Sequence, residues 1–260
     1  MPKELVTHVV SYTHEVEMPP TDLLETDEQP LETPIHRATI NLLIEQVEIH
    51  NAGRRDYYVG GNMFIYFSSE QAKNRDYKGP DFFYVQGVDH DRPRQFWATW
   101  DENGRYPDVI IELLSPSTAD ADLSTKKDLY ERTFRTSEYF CYDPLTYEQR
   151  GWRLEAGGYV PLLPDSDGRL VSDVLGLRLG TWEGRYLELP ARWLRFFDAT
   201  GRVVPLRSEL EREGAEAEAK RAEAEAKRAE AEAKRADAAE AELSRVRQEL
   251  DRLRSAPPAR

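Results

Sequence analysis

The run from Pro107 to Pro144, PDVIIELLSPSTADADLSTKKDLYERTFRTSEYFCYDP, constrains this chain more than any other stretch. Val109, Ile110, Ile111, Leu113 and Leu114 form an almost unbroken apolar series. Without polar alternation, such a series fits a strand buried on both faces. One carboxylate, Glu112, interrupts it. An acid there is costly unless a cation or hydrogen-bond donors meet it. Ser115, Pro116, Ser117 and Thr118 break the strand. The spacing then predicts a helix with Leu123, Tyr130 and Phe134 near one face and Lys126 and Lys127 on or beside it. A second apolar run, Tyr139 to Tyr142, returns to the sheet and stops at Asp143-Pro144. Strand, helix, strand is a βαβ pattern, and it brings Glu112 close to the helix lysines.

The rest of the body extends this core. Ile40, Leu43, Ile44 and Val47 recur at helical spacing, so a helix is expected from about His36 to His50. His36, Glu45 and Glu48 lie on it and read as a solvated face, with Glu45 adjacent to the apolar stripe. Tyr57–Val59 and Met63–Phe67 read as two strands joined in a hairpin at Gly60-Gly61-Asn62. Gly79-Pro80 precedes a third strand, Asp81 to Val85, and a further one is expected through Phe96 to Trp100. Trp97 and Trp100 read as core residues. Beyond Pro144 the chain is β-rich, with a hairpin across Gly157-Gly158 and strands at Leu175–Leu179 and Trp193–Phe197.

The two ends differ in kind from the body. Residues 1–32 form an acidic, Pro-rich arm in which Leu5 to Tyr12 could pair as an edge strand. Residues 33–205 read as the globular domain and 206–256 as a charged, Ala-rich helical tail. Three copies of AEAEAKR, from Ala215 to Arg235, set Glu216 with Lys220, Glu223 with Lys227 and Glu230 with Lys234 at the favourable i,i+4 order. Their seam is alanine alone, so pairing would bury little area. Leu243, Val246, Leu250 and Leu253 supply a better one. A solvated rod and an oligomeric coiled coil both fit. The net charge of −13 lies mostly in the ends and leaves the body close to neutral, which counts against non-specific nucleic-acid binding. The single cysteine, Cys141, reads as a small core residue. With neither a leader-like N-terminus nor a long uncharged run, a cytoplasmic protein with no membrane association is expected.

Asp81, Glu112 and the helix lysines suggest a chemistry. Two carboxylates on neighbouring strands can share Mg²⁺ or Mn²⁺, with the backbone carbonyl of Leu113 as a further ligand. The ion would activate a water, and a lysine would hold it or help deprotonate it. Asp108, four residues before Glu112 and on the same strand face, could assist or replace Asp81. The structural alternative is equally simple: Asp81 as a turn residue, solvated lysines, and a Glu112–lysine ion pair without metal. Periodicity does not choose between Lys126 and Lys127. Lys73, Arg75 and Lys78, with Arg92 and Arg94, are candidate phosphate contacts, or ordinary loop charges.

The segments GPDFFYV, PDVIIELLSPST, DLSTKKDLY and SEYFCYDP, in this order, resemble the Uma-two family of restriction-endonuclease-like proteins, within the PD-(D/E)XK nuclease superfamily. The similarity spans roughly residues 33 to 200. It implies an α/β (α+β) fold, a central mixed sheet flanked by helices, together with a metal-dependent site and cleavage of DNA phosphodiester bonds. By this resemblance Asp81 is the first acid and Glu112 the second. The superfamily lysine normally stands two residues after the second acid, where this chain has Leu114. The Uma-two pattern moves it to the next helix, four residues after an aspartate. That implies Lys126, with Lys127 as alternate. The expectation is a Mg²⁺-dependent endonuclease acting on DNA, its tail free to pair with a second copy. The rival is a catalytically silent nuclease-like module for binding or assembly. Hydrolysis of RNA or of a small phosphate ester is a third reading.

Overall fold

The computed structural model describes residues 33–68 and 79–255. A six-stranded mixed sheet carries the fold. Its strands are β1 (Tyr57–Gly60), β3 (Phe82–Gln86), β5 (Val109–Leu113), β6 (Glu138–Tyr142), β7 (Gln149–Glu155) and β8 (Gly158–Pro161), in the spatial order β1-β3-β5-β6-β7-β8. Every residue of β5 and β6 is buried, as two-sided coverage requires. The β5–β6 pair is parallel and its neighbours are antiparallel. A helical segment over 119–134, here α2, makes the crossover between β5 and β6.

Two layers cover the sheet. On one face α1 (Pro34–His50) packs Ile40, Leu43 and Val47 against Phe82, Tyr84, Val109, Ile111 and Phe140. A three-stranded antiparallel sheet completes that face, formed by β9 (Leu170–Ser172), β10 (Leu177–Tyr186) and β11 (Leu189–Phe197). The buried amide of Gln46 joins the two, donating to the carbonyls of Phe196 and Val204 and accepting from the Phe196 amide. On the other face α2 presents Tyr130 and Phe134 to Phe83, Ile110, Tyr139 and Cys141. Burial pushes the Cys141 thiol up, so it stays protonated and inert.

The hairpin expected at Gly60-Gly61-Asn62 does not form. Strand β2 (Ile65–Tyr66) instead pairs in parallel with β4 (Trp97–Ala98) in a small separate sheet, and β1 pairs with β3. The turn is diverted because the Asn62 amide donates to the Pro80 carbonyl rather than closing a ladder with β1. The strand expected over Phe96–Trp100 shortens to β4, followed by a 3₁₀ turn, Thr99–Asp101. Trp97 is fully buried, but Trp100 is 55% exposed, a correction to its reading as core. The strand expected at Leu175 begins at Leu177 and runs on to Tyr186. The edge strand expected at Leu5 to Tyr12 lies outside the described residues.

The tail is one helix, α3 (Arg207–Ser255), of 49 residues. At helical rise it is about 70 Å long. Its root is fastened to the body. Arg195, buried on β11, makes a two-pronged pair with Glu209 and donates to the Val204 carbonyl. Glu45 on α1 accepts from the Arg207 amide. Further out, Lys227 pairs with Glu223 and Lys234 with Glu230, as the repeat predicts. Leu243, Val246 and Leu250 are exposed. No helix among the described residues is long and apolar enough to cross a membrane.

Candidate active site

Antiparallel register sets the site. β3 pairs with β5 through Phe82↔Ile111, which places Asp81, the residue just before β3, across from Glu112. The Asp81 Oδ2 accepts from the Leu113 amide at 2.7 Å, and Glu112 Oε2 lies 3.4 Å from the Asp81 amide. The α2 helix closes the other side. Lys126 Nζ lies 3.1 Å from Glu112 Oε1 and 2.7 Å from Asp122 Oδ1, and the Tyr130 hydroxyl donates to Glu112 Oε1 at 2.8 Å. Glu112 is thus bracketed by Asp81, just before β3, and Lys126 on α2.

The helix geometry makes this arrangement possible. α2 is α-helical only over Ala119–Ala121 and Lys127–Leu129. Asp122–Lys126 and Tyr130–Phe134 are π-helical, with i→i+5 hydrogen bonding. In an α-helix of 3.6 residues per turn, residues four apart drift steadily round the axis. The wider π turn corrects that drift, so Asp122, Lys126 and Tyr130 line up towards the sheet.

Burial dominates the electrostatics. Glu112 is 1% exposed. Burial pushes its carboxyl up to about 8; Lys126 pulls it down, while Asp81 and Asp122 add to the rise. For Lys126, burial favours loss of the proton, but the Glu112 and Asp122 carboxylates outweigh it and hold the ammonium above the ordinary lysine range. The 2.7 Å contact with Asp122 adds to the hold of Glu112 on that charge. Burial and the neighbouring acids push Tyr130 up as well, so it remains a donor.

The other expected residues lie elsewhere. Lys127 does not join this group: its Nζ lies over the rings of Trp152 and Tyr159 and 3.8 Å from Glu131. Asp108 sits at the opposite end of β5, where it accepts from the Gln86 amide at 2.7 Å. Four residues of strand, about 13 Å, separate it from Glu112. Arg94 forms a buried two-pronged pair with Glu102 and is not free for phosphate. Lys73, Arg75 and Lys78 lie outside the described residues. His36, read as solvated, is instead buried, with Nε2 3.0 Å from Asp81 Oδ1. Its spacing carried the signal: positions 36, 40, 43 and 47 share one helical stripe. Asp122 and Tyr130 also belong to the group, and neither was among the expected site residues.

A family model described as "Uma2: Putative restriction endonuclease" matches residues 24–190. The chain belongs to that family. No curated protein matches this Uma2 chain. Among solved structures it is similar to one described as "a putative nuclease belonging to DUF820 from Anabaena variabilis ATCC 29413". That match has 14% identity and a TM-score of 0.42, covering 56% of this chain and 76% of the other.

Restriction-endonuclease-like proteins generally use a divalent metal. The donor set here suits a hard ion, since Mg²⁺ is commonly held by one or two carboxylates with water completing its shell. Asp81 and Glu112 supply two. Among the described residues, no three His, Cys, Asp or Glu side chains are grouped to enclose an ion.

Gly61 holds Asp81 in place through close approach. A Cβ there would lie 2.2 Å from the Asp81 carbonyl oxygen and 2.6 Å from Ile40 Cγ2. Gly61→Ala is expected to force β3 and α1 apart at about 1–3 kcal/mol, the usual cost of overpacking. Urea denaturation measures this. Gly214→Ala, with nothing near its Cβ on α3, is the control and should be slightly stabilising.

Proposed function

We propose that this Uma2 chain is a metal-dependent endonuclease that hydrolyses DNA phosphodiester bonds. The convergence of Asp81 and Lys126 on Glu112 carries this reading. Asp81, Glu112 and the Leu113 carbonyl hold Mg²⁺ or Mn²⁺. When bound, the ion supplies an acidified water and stabilises charge on the phosphoryl group. Lys126, kept cationic by Glu112 and Asp122, orients that water and meets developing negative charge; it is not the group that removes the proton. Tyr130 fixes the Glu112 oxygen that faces Lys126. Asp108 and Lys127 serve the fold in this reading, as the alternate acid and alternate lysine are not needed. Lys73, Arg75 and Lys78, just upstream of Asp81, contact DNA phosphates.

A second reading has its own support. Lys126 and Tyr130 already satisfy Glu112 without an ion, as in a catalytically silent nuclease-like module. The exposed leucines of α3 would then serve as its partner surface. Incubation of the protein with supercoiled plasmid separates the two readings. Nicking that requires Mg²⁺ or Mn²⁺ and stops on adding EDTA is the expected result. Plasmid left intact across both metals and a range of pH would favour the silent module. Parallel incubations with RNA and with a small phosphodiester test the remaining substrate class.

A further inference from the structure

We infer that His36 is a positioning residue that sets the aim of the Asp81 carboxylate, and through it the strength of metal binding. This rests on the reading that Asp81 holds the ion. Each Asp81 oxygen has a contact from a different element. The Leu113 amide on β5 takes Oδ2 at 2.7 Å, and His36 Nε2 on α1 lies 3.0 Å from Oδ1. A carboxylate can only accept, so this contact is attractive when Nε2 carries a hydrogen. One amide donor and one imidazole edge, on separate elements, restrict both the position of the carboxylate and the rotation of its plane. A single donor would leave the plane free to turn about Cβ–Cγ.

The imidazole is itself held. Its side chain is 11% exposed and that of Asp81 14%, so water competes weakly for the contact. Thr33 caps α1, accepting from the His36 amide at 3.1 Å, and Pro34 starts the helix. The ring therefore projects from a fixed first turn. Gly61, wedged between Ile40 of α1 and the Asp81 carbonyl, keeps that turn and the start of β3 at a set distance. These contacts supply the outer support that carboxylate ligands commonly need, and its loss typically weakens metal affinity about 10–100-fold.

The test is Mn²⁺ binding to the full-length protein without DNA, followed by the EPR signal of free Mn²⁺. His36→Ala is expected to weaken binding by about 10-fold or more. His36→Gln, which restores an N–H at nearly the same reach, should recover most of it. In nicking assays the alanine variant should need more Mn²⁺ yet approach the wild-type rate at saturation. A merely structural histidine would lower melting temperature and saturated rate together and would not be rescued by glutamine; that pattern overturns the inference. So does unchanged Mn²⁺ affinity in a folded alanine variant. A ¹⁴N coupling of directly bound imidazole in the wild-type spectrum would replace positioning with direct ligation. Failure of the wild type to bind Mn²⁺ at all would instead remove the metal-site reading beneath it.

Discussion

Glu112→Gln is expected to lower metal-dependent nicking by about 1,000-fold, which corresponds to roughly 4 kcal/mol of lost charge stabilisation. The same substitution should leave the fold intact and make it more stable in alkaline solution without metal. The reason is the buried carboxyl, pushed up to about 8 from an ordinary value of 4.5. Between those values the folded chain binds a proton that the unfolded chain has released. Stability must therefore fall as pH rises through that window. Glutamine has no such titration and keeps acceptor capacity for Lys126 and Tyr130. Melting temperature measured from pH 5 to pH 9 should decline more steeply in wild type than in the variant. Added Mn²⁺ should restore the wild type at high pH and leave the variant unmoved. Parallel curves for the two proteins would contradict the account of a strained, ion-ready carboxylate.

Lys126→Met should have the next largest effect. It leaves Glu112 and Asp122, both 1% exposed, facing each other without a cation. Removing one partner of a buried pair costs about 3 kcal/mol. The cost should grow above pH 8, where the wild-type Glu112 ionises against Lys126 while the variant, without that cation, resists ionisation further. Nicking should fall by about 100-fold or more, through loss of the charge that meets the phosphoryl oxygens. Lys127→Met is the matched comparison. Its ammonium lies over Trp152 and Tyr159, so its loss should cost about 0.5–1 kcal/mol and leave nicking near wild type. Urea denaturation and the plasmid assay read both variants. Equal effects at the two lysines would remove Lys126 from its special place.

The β5 run was legible because two-sided burial erases polar alternation, and a lone acid inside such a run is conspicuous. The pairing of Asp81 with Glu112 rested on the family resemblance, since the register that sets them opposite, Phe82↔Ile111, is a property of the folded sheet. Spacing could not choose between Lys126 and Lys127. Helical periodicity assumes 3.6 residues per turn, and α2 departs from it at Asp122–Lys126 and Tyr130–Phe134. His36 was misread although it extends the stripe of Ile40, Leu43 and Val47; a histidine on an apolar stripe invites a search for its acid. The β10–β11 hairpin was hidden for another reason. Its turn places Leu187 and Glu188 at positive φ, where glycine or asparagine would have marked it. The Gly60-Gly61-Asn62 segment carried that mark yet bends towards Pro80, since close packing against Asp81 was what required the glycine.

The anchoring of α3 limits where this molecule can work. Arg195, Glu209 and Glu45 clamp the first turn, so the stalk has no swivel at its base. Anything gripping Leu243 to Leu250 stands about 55 Å or more from the root at helical rise. A tether of flexible chain would let the body sweep a filled sphere around such an anchorage. A stiff boom confines it to a thin shell instead, and phosphates lying close to the anchorage fall out of reach.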